Sequence, residues 1–320
     1  ADMKIVVLDG ETLNPGDVAW EALARLGELT VYPDTDPADF AERVMDADVV
    51  LVNKVKIMAP DLAMLSACKL IGVLATGTNN LDLQAIREAG VSVCNVPGYG
   101  VADVAQHALA LLLEICNNVG QEAQSVRQGE WQRRGQWCYW QKTPICLSGL
   151  TMGIIGFGAI GQATGRLANA LGMEVLAASR TKKASTAAQA YTFASTDDIF
   201  ARADVISLHC PLTPETDKII NDKNMAAMKR GVIVINTARG GLVDEEAVAA
   251  ALKSGQLGGY GADVLSIEPP AATNPLLSAP NAFITPHMAW ATKSARQRII
   301  DIMAENIRSF AAGDLKNSVV

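Results

Sequence analysis

Histidine is scarce in this chain, with three residues in 320, and no C-x-x-C pair joins its six scattered cysteines. A His-rich or paired-thiolate metal site is therefore not expected. Cys68, Cys94, Cys116, Cys138, Cys146 and Cys210 read as reduced, mostly structural residues. No Lys/Arg-rich block is present to track a phosphate backbone, and 27 basic against 34 acidic residues leave a net charge of −7, so nucleic acid is not an expected partner. No apolar run reaches the ~18 residues that span a bilayer, which removes the membrane as a partner. Residues 1–10 read as a strand rather than a signal peptide, which points to the cytoplasm. Neither low-complexity tracts nor a repeat of about 20–50 residues occurs, which excludes disorder and solenoids.

What remains is a globular chain that is 49% hydrophobic and 19% charged, enough to build packed cores. Its length exceeds one ordinary core and suits two domains of about 100–200 residues each, with a cleft between them. Short apolar runs recur at Ile5–Leu8, Val49–Val52, Leu70–Leu74 and Val91–Cys94, then at Gly153–Ile155, Val175–Ala178, Val205–Leu208, Val232–Ile235 and Tyr260–Val264. Each is followed by a segment of helical character, the pattern of an α/β protein with doubly wound parallel sheets. The Pro- and Gly-free stretch Val101–Ile115 predicts a helix separating the two sets of strands. A second helix is expected over Ala291–Ala312, returning the tail to the first domain. The expected boundaries are 1–100 with 287–320 for one domain and 101–286 for the other.

Gly156-Phe157-Gly158-Ala159-Ile160-Gly161 follows a strand and precedes a helix, the context that gives a G-x-G-x-x-G pattern its meaning. The first glycine permits a tight turn, the second lets backbone approach a pyrophosphate, and the third lets helix and strand pack closely. The helix N-terminus then offers N–H groups to the phosphates. About 20 residues later an NAD site would place Asp or Glu to hold the ribose 2′-hydroxyl. Here Ser179-Arg180-Thr181-Lys182-Lys183 stands instead, a set suited to a 2′-phosphate, with Arg180 able to bind it in a planar fork.

Three further segments stand near strand ends, where open α/β sheets bind ligands: Asn236-Thr237-Ala238-Arg239-Gly240, Asp263 to Glu268-Pro269-Pro270, and Thr285-Pro286-His287. Hydride transfer to a keto acid needs a cation for the carboxylate, a proton donor for the carbonyl oxygen and a group that holds the donor. Arg239, His287 and Glu268 match these needs.

Taken in order, these motifs resemble the D-isomer-specific 2-hydroxyacid dehydrogenase family over nearly the whole chain. Leu74–Asp82 is similar to that family's substrate loop, and His209–Thr216 to its segment near the nicotinamide. Cys138-Tyr139-Trp140 leading into Leu147–Ile155 resembles the glycerate dehydrogenase and hydroxypyruvate (glyoxylate) reductase branch. The resemblance implies a Rossmann-type cofactor domain and a flavodoxin-like substrate domain, assembled as a homodimer; a phosphoglycerate dehydrogenase is the less expected member because no regulatory domain is read after the returning helix. It makes Arg239 the carboxylate clamp, His287 the acid/base and Glu268 its orienting partner. It assigns substrate contacts to Thr76, Gly77, Lys54 and Trp140, and cofactor contacts to His209, Pro211, Thr216, Thr237, Ala238 and Asp263. The expected ligands are a small 2-keto acid and NADP(H), preferred over NAD(H) because Ser179-Arg180 departs from the family's usual acidic residue. His107, in the apolar helix, reads as a packing residue. The rival readings are an NAD-dependent dehydrogenase for another keto acid and a dinucleotide-sensing, corepressor-like interaction protein.

Overall fold

Val49–Val52 and Val232–Asn236 are buried at every position, as strands covered on both faces must be. In the computed structural model, which describes residues 3–180 and 191–319, they lie inside two all-parallel sheets. The first unit, Ala1–Gly100 with Trp290–Val320, begins β1 (Lys4–Val7), α1 (Glu21–Ala24), β2 (Glu28–Val31), α2 (Phe40–Val44), β3 (Val49–Val52), β4 (Leu70–Val73), α3 (Leu83–Glu88) and β5 (Ser92–Cys94). Its five strands are ordered β2-β1-β3-β4-β5.

The second unit, Val101–Ala289, opens with α4 (Val101–Asn117), α5 (Val119–Arg127) and α6 (Glu130–Arg134). It continues with β6 (Thr151–Ile155), α7 (Ala159–Ala170), β7 (Glu174–Ala178), β8 (Thr192–Phe193), α8 (Thr196–Arg202) and β9 (Val205–Leu208). After these come α9 (Asp222–Ala226), β10 (Val232–Asn236), α10 (Glu245–Ser254), β11 (Leu257–Ala262) and β12 (Ala282–Ile284). The strand order is β12-β11-β10-β9-β6-β7-β8. The chain ends with α11 (Lys293–Ala311) in the first unit.

Both orders reverse direction at one strand, at β1 in the first sheet and at β6 in the second. Ligand crevices form at such switch points, beyond the carboxyl ends of the strands. The glycine-rich turn follows β6, and the Asn53-Lys54 turn follows β3, beside β1.

Within the first unit, α11 is anchored by Ile299, Ile300 and Met303, all fully buried. Gly72 on β4 makes room for it, since a Cβ there would lie 2.7 Å from the Met303 sulfur. Arg296 adds a bidentate pair to Asp17 at 2.6 and 2.7 Å, the geometry that a guanidinium favours. In the second unit α4 lies along α7 and β11, burying Leu109, Leu112 and Ile115 against Met152 and Ile154.

The apolar-run reading misses β2, β8 and β12, and all three are edge strands. An edge strand is partly solvated and needs no continuous apolar run; β2 alternates exposed and half-buried positions. Residues 287–289, expected with the first domain, fall in the second unit. The cause is local: Asp263 accepts the backbone N–H groups of Met288 and Ala289, each at 2.8 Å.

Two glycines of the fingerprint serve different ends. A Cβ on Gly161 would sit 2.2 Å from the Gly156 carbonyl oxygen, whereas a Cβ on Gly158 would meet nothing within 4 Å. Gly161→Ala is therefore expected to cost about 1–3 kcal/mol by overpacking. Gly158→Ala should leave stability unchanged or raise it by up to about 1 kcal/mol, since φ −75° suits alanine. Thermal unfolding of the two variants without cofactor tests this, and equal losses would contradict it.

Candidate active site

The turn between β6 and α7 is shaped by close backbone approach. Gly156 has φ +93°, and a Cβ there would lie 2.4 Å from the Cys210 nitrogen, so only glycine fits. Ala159 and Ile160 open α7, whose first N–H groups lack partners within the helix. Phe157 turns its ring into the core. Its side chain is 3% exposed and packs on Tyr191, ring centroids 4.6 Å apart; it is a core residue that holds the turn from behind.

Ser179 and Arg180 follow β7, the first half-buried and the second exposed; Thr181, Lys182 and Lys183 lie outside the described residues. The Glu215 carboxyl is held below the usual range, first by the Thr213 hydroxyl and in smaller part by the charge of Arg180. Thr216 donates its hydroxyl to Pro211 O at 2.7 Å and accepts from Thr213 N at 2.8 Å, so it braces this turn. His209 keeps some exposure as a residue, yet desolvation of its ring pushes it down to about 4. It is neutral at physiological pH, with Nε2 2.8 Å from Ser207 Oγ.

A dinucleotide fits these residues on two observations. The open space over Gly158 serves no packing need of the protein itself. Thr237 Oγ1, beyond β10, is buried with no partner among the described residues.

The N-x-x-R-G segment is closed by its own asparagine. Buried Asn236 accepts from Ala238 N at 3.1 Å and donates to Arg239 O at 2.9 Å, a tight turn that projects Arg239 outward, where it is exposed. Arg239 Nη1 donates to Ala238 O at 2.7 Å. Gly240 follows because a Cβ there would come within 1.9 Å of the Leu265 carbonyl carbon. The arginine turn and the loop carrying Glu268 are thus pressed together.

Glu268 Oε1 accepts from Leu265 N at 2.9 Å, and Oε2 lies 2.6 Å from His287 Nδ1. A carboxylate only accepts, so Nδ1 carries the proton. The side chains of His287 and Glu268 are 41% and 36% exposed, so the pair is open to solvent. Glu245, at the start of α10, ties the same loop through Ser266 N at 2.7 Å and Asn274 Nδ2 at 2.8 Å. Asp263, expected near a nicotinamide, is 2% exposed and accepts from Thr285 Oγ1, Met288 N and Ala289 N.

The remaining substrate candidates lie apart in sequence. Trp140 is 57% exposed, beyond α6 in the second unit. Lys54, Thr76 and Gly77 belong to the first unit, after β3 and β4. Asp9 fixes the Lys54 loop by accepting from Asn53, Lys54 and Val55 N–H groups at 2.6–2.8 Å. Burial pushes the Asp9 carboxyl up, and these donors pull it back. Thr76 Oγ1 donates to Val96 O at 2.9 Å.

Sequence reasoning did not single out Asp9, Glu245 or the side-chain role of Asn236. Their signals are carboxylates and an amide that accept or donate across loops, visible only once the loops are folded.

Residues 109–289 match the family described as D-isomer specific 2-hydroxyacid dehydrogenase, NAD binding domain. The chain is 46% identical to a hydroxypyruvate reductase of Blautia hydrogenotrophica, over 99% of both chains. It is 39% identical to a glycerate dehydrogenase of Methylorubrum extorquens, over 99% of this chain and 98% of that one. A crystal structure of a Thermus thermophilus protein superposes with TM-score 0.83 at 35% identity, covering 99% of this chain and all of the other. With its glycine turn, its Arg239 turn and its His287–Glu268 pair on one such fold, the chain belongs to the D-isomer-specific 2-hydroxyacid dehydrogenases, nicotinamide-dependent oxidoreductases.

Proposed function

We propose that this dehydrogenase reduces a small 2-keto acid, hydroxypyruvate or glyoxylate, to D-glycerate or glycolate, using NADP(H) in preference to NAD(H). The observation that carries the reading is the 2.6 Å contact of His287 Nδ1 with Glu268 Oε2, in a pair still open to solvent. The bound nicotinamide supplies the hydride. Arg239 binds the substrate carboxylate by two parallel hydrogen bonds and polarises the carbonyl. His287 Nε2 gives a proton to the carbonyl oxygen, and in the reverse direction takes it back, while Glu268 holds the ring in place. The positive charge of Arg239 and of protonated His287 offsets the alkoxide charge that develops on the substrate. Lys54, Thr76, Gly77 and Trp140 are further candidates for contact with the substrate. The relatives named as hydroxypyruvate reductase and glycerate dehydrogenase support the substrate class.

The cofactor preference rests on the Ser179-Arg180 strand end, where a carboxylate would repel a 2′-phosphate and a guanidinium attracts it. NADPH is expected to exceed NADH in kcat/KM by roughly tenfold or more, the scale of one charge-assisted contact. Arg180→Ala should weaken NADPH far more than NADH. Equal use of both cofactors by the unaltered enzyme contradicts this preference.

His287→Ala should lower kcat by about 10²–10⁴ while leaving NADPH affinity nearly intact. Arg239→Lys keeps the charge but loses the fork, so KM for the keto acid should rise and kcat fall. Steady-state kinetics with hydroxypyruvate measure both, and near-normal turnover of His287→Ala would refute the acid/base assignment.

A further inference from the structure

We propose that His107 is a positioning residue for the reaction, acting from α4 through Thr285 and Asp263 on the loop that carries His287. The proposal rests on the reading of His287 as the acid/base. His107 and Asp263 side chains are 18% and 2% exposed, so this is an interior contact. His107 Nε2 lies 2.9 Å from Thr285 Oγ1, and Thr285 Oγ1 lies 2.6 Å from Asp263 Oδ1. Counting protons fixes the direction of both bonds. The Asp263 carboxylate can only accept, so the single hydroxyl proton of Thr285 goes to it. Thr285 then has only acceptor capacity left for the imidazole, and His107 must be protonated on Nε2.

Asp263 passes the constraint on. Its Oδ1 also accepts from Met288 N and its Oδ2 from Ala289 N, both at 2.8 Å, the two residues that follow His287. His287 N donates to Thr285 O at 3.0 Å. Between these anchors His287 adopts φ +53°, a left-handed conformation that a non-glycine residue holds only when its surroundings over-determine it. α4 is a firm base for the relay, because Leu109, Leu112 and Ile115 are buried against the sheet. His107 is therefore the polar pin between a packed helix and the strained turn that aims the His287 ring at Glu268.

Two substitutions separate this role from packing. His107→Phe keeps a ring but removes the donor, and His107→Gln returns an N–H at similar reach. With NADPH and hydroxypyruvate, His107→Phe is expected to lower kcat by about 10–100-fold, the scale of a small misplacement of a reacting group, with KM and cofactor Kd little changed. His107→Gln should recover most of the loss. Thr285→Val should reproduce the drop, and the double variant with His107→Phe should fall no further.

Because the chain holds three histidines, the His287 ring signals can also be followed by NMR; they should move in His107→Phe and stay in His107→Gln. That readout does not depend on turnover, so an active His287→Ala enzyme would remove the acid/base reading while the ring signals still decide the relay. Unchanged ring signals in His107→Phe, equal loss in the Phe and Gln variants, or additive loss in the double variant would overturn the proposal.

Discussion

The carboxylate of Asp263 is nearly sealed from water, at 2% exposure. A buried charge without partners destabilises a fold by several kcal/mol; with donors in place it becomes a fixed point around which a loop must form. Asp263 meets three donors, Thr285 Oγ1 and the N–H groups of Met288 and Ala289. The backbone on both sides of His287 is thereby committed to one path, and the imidazole reaches Glu268. The first unit uses the same device, with Asp9 accepting three consecutive N–H groups around Lys54. In each unit a carboxylate just past a strand end exchanges hydration for backbone hydrogen bonds and fixes the path of a loop.

Close backbone approach is the second constraint. Gly156 against Cys210 and Gly240 against Leu265 bring neighbouring loops to distances that no side chain would allow. Gly240 matters most for the chemistry, because it presses the Arg239 turn onto the segment whose Leu265 N–H orients Glu268. Arg239, His287 and Glu268 are thus coupled through backbone as well as through side chains, the kind of preorganisation that electrostatic catalysis requires.

Much of this was legible in the sequence where chemistry dictates spacing. The G-x-G-x-x-G turn, the N-x-x-R-G segment and the Glu268 and His287 positions stood out because a phosphate cradle and an acid/base pair would restrict residue type and order. The central strands were legible as continuous apolar runs, whereas β2, β8 and β12 were not, because edge strands need no such runs. The packing of the Phe157 ring into the core was not legible, because position in the fingerprint does not say which way a ring turns. His107 read as packing because a lone histidine on an apolar helix carries no periodic signal of a partner 178 residues away at Thr285. The relay to Asp263 exists only in the folded chain.

If His287 and Arg239 hold a 2-keto acid as proposed, hydride arrives on one face of its carbonyl. The decisive measurement is chiral analysis of the product formed from hydroxypyruvate and NADPH. D-glycerate alone is expected, formed one for one with the cofactor oxidised. L-glycerate, a racemate, or cofactor oxidation without glycerate would refute this geometry.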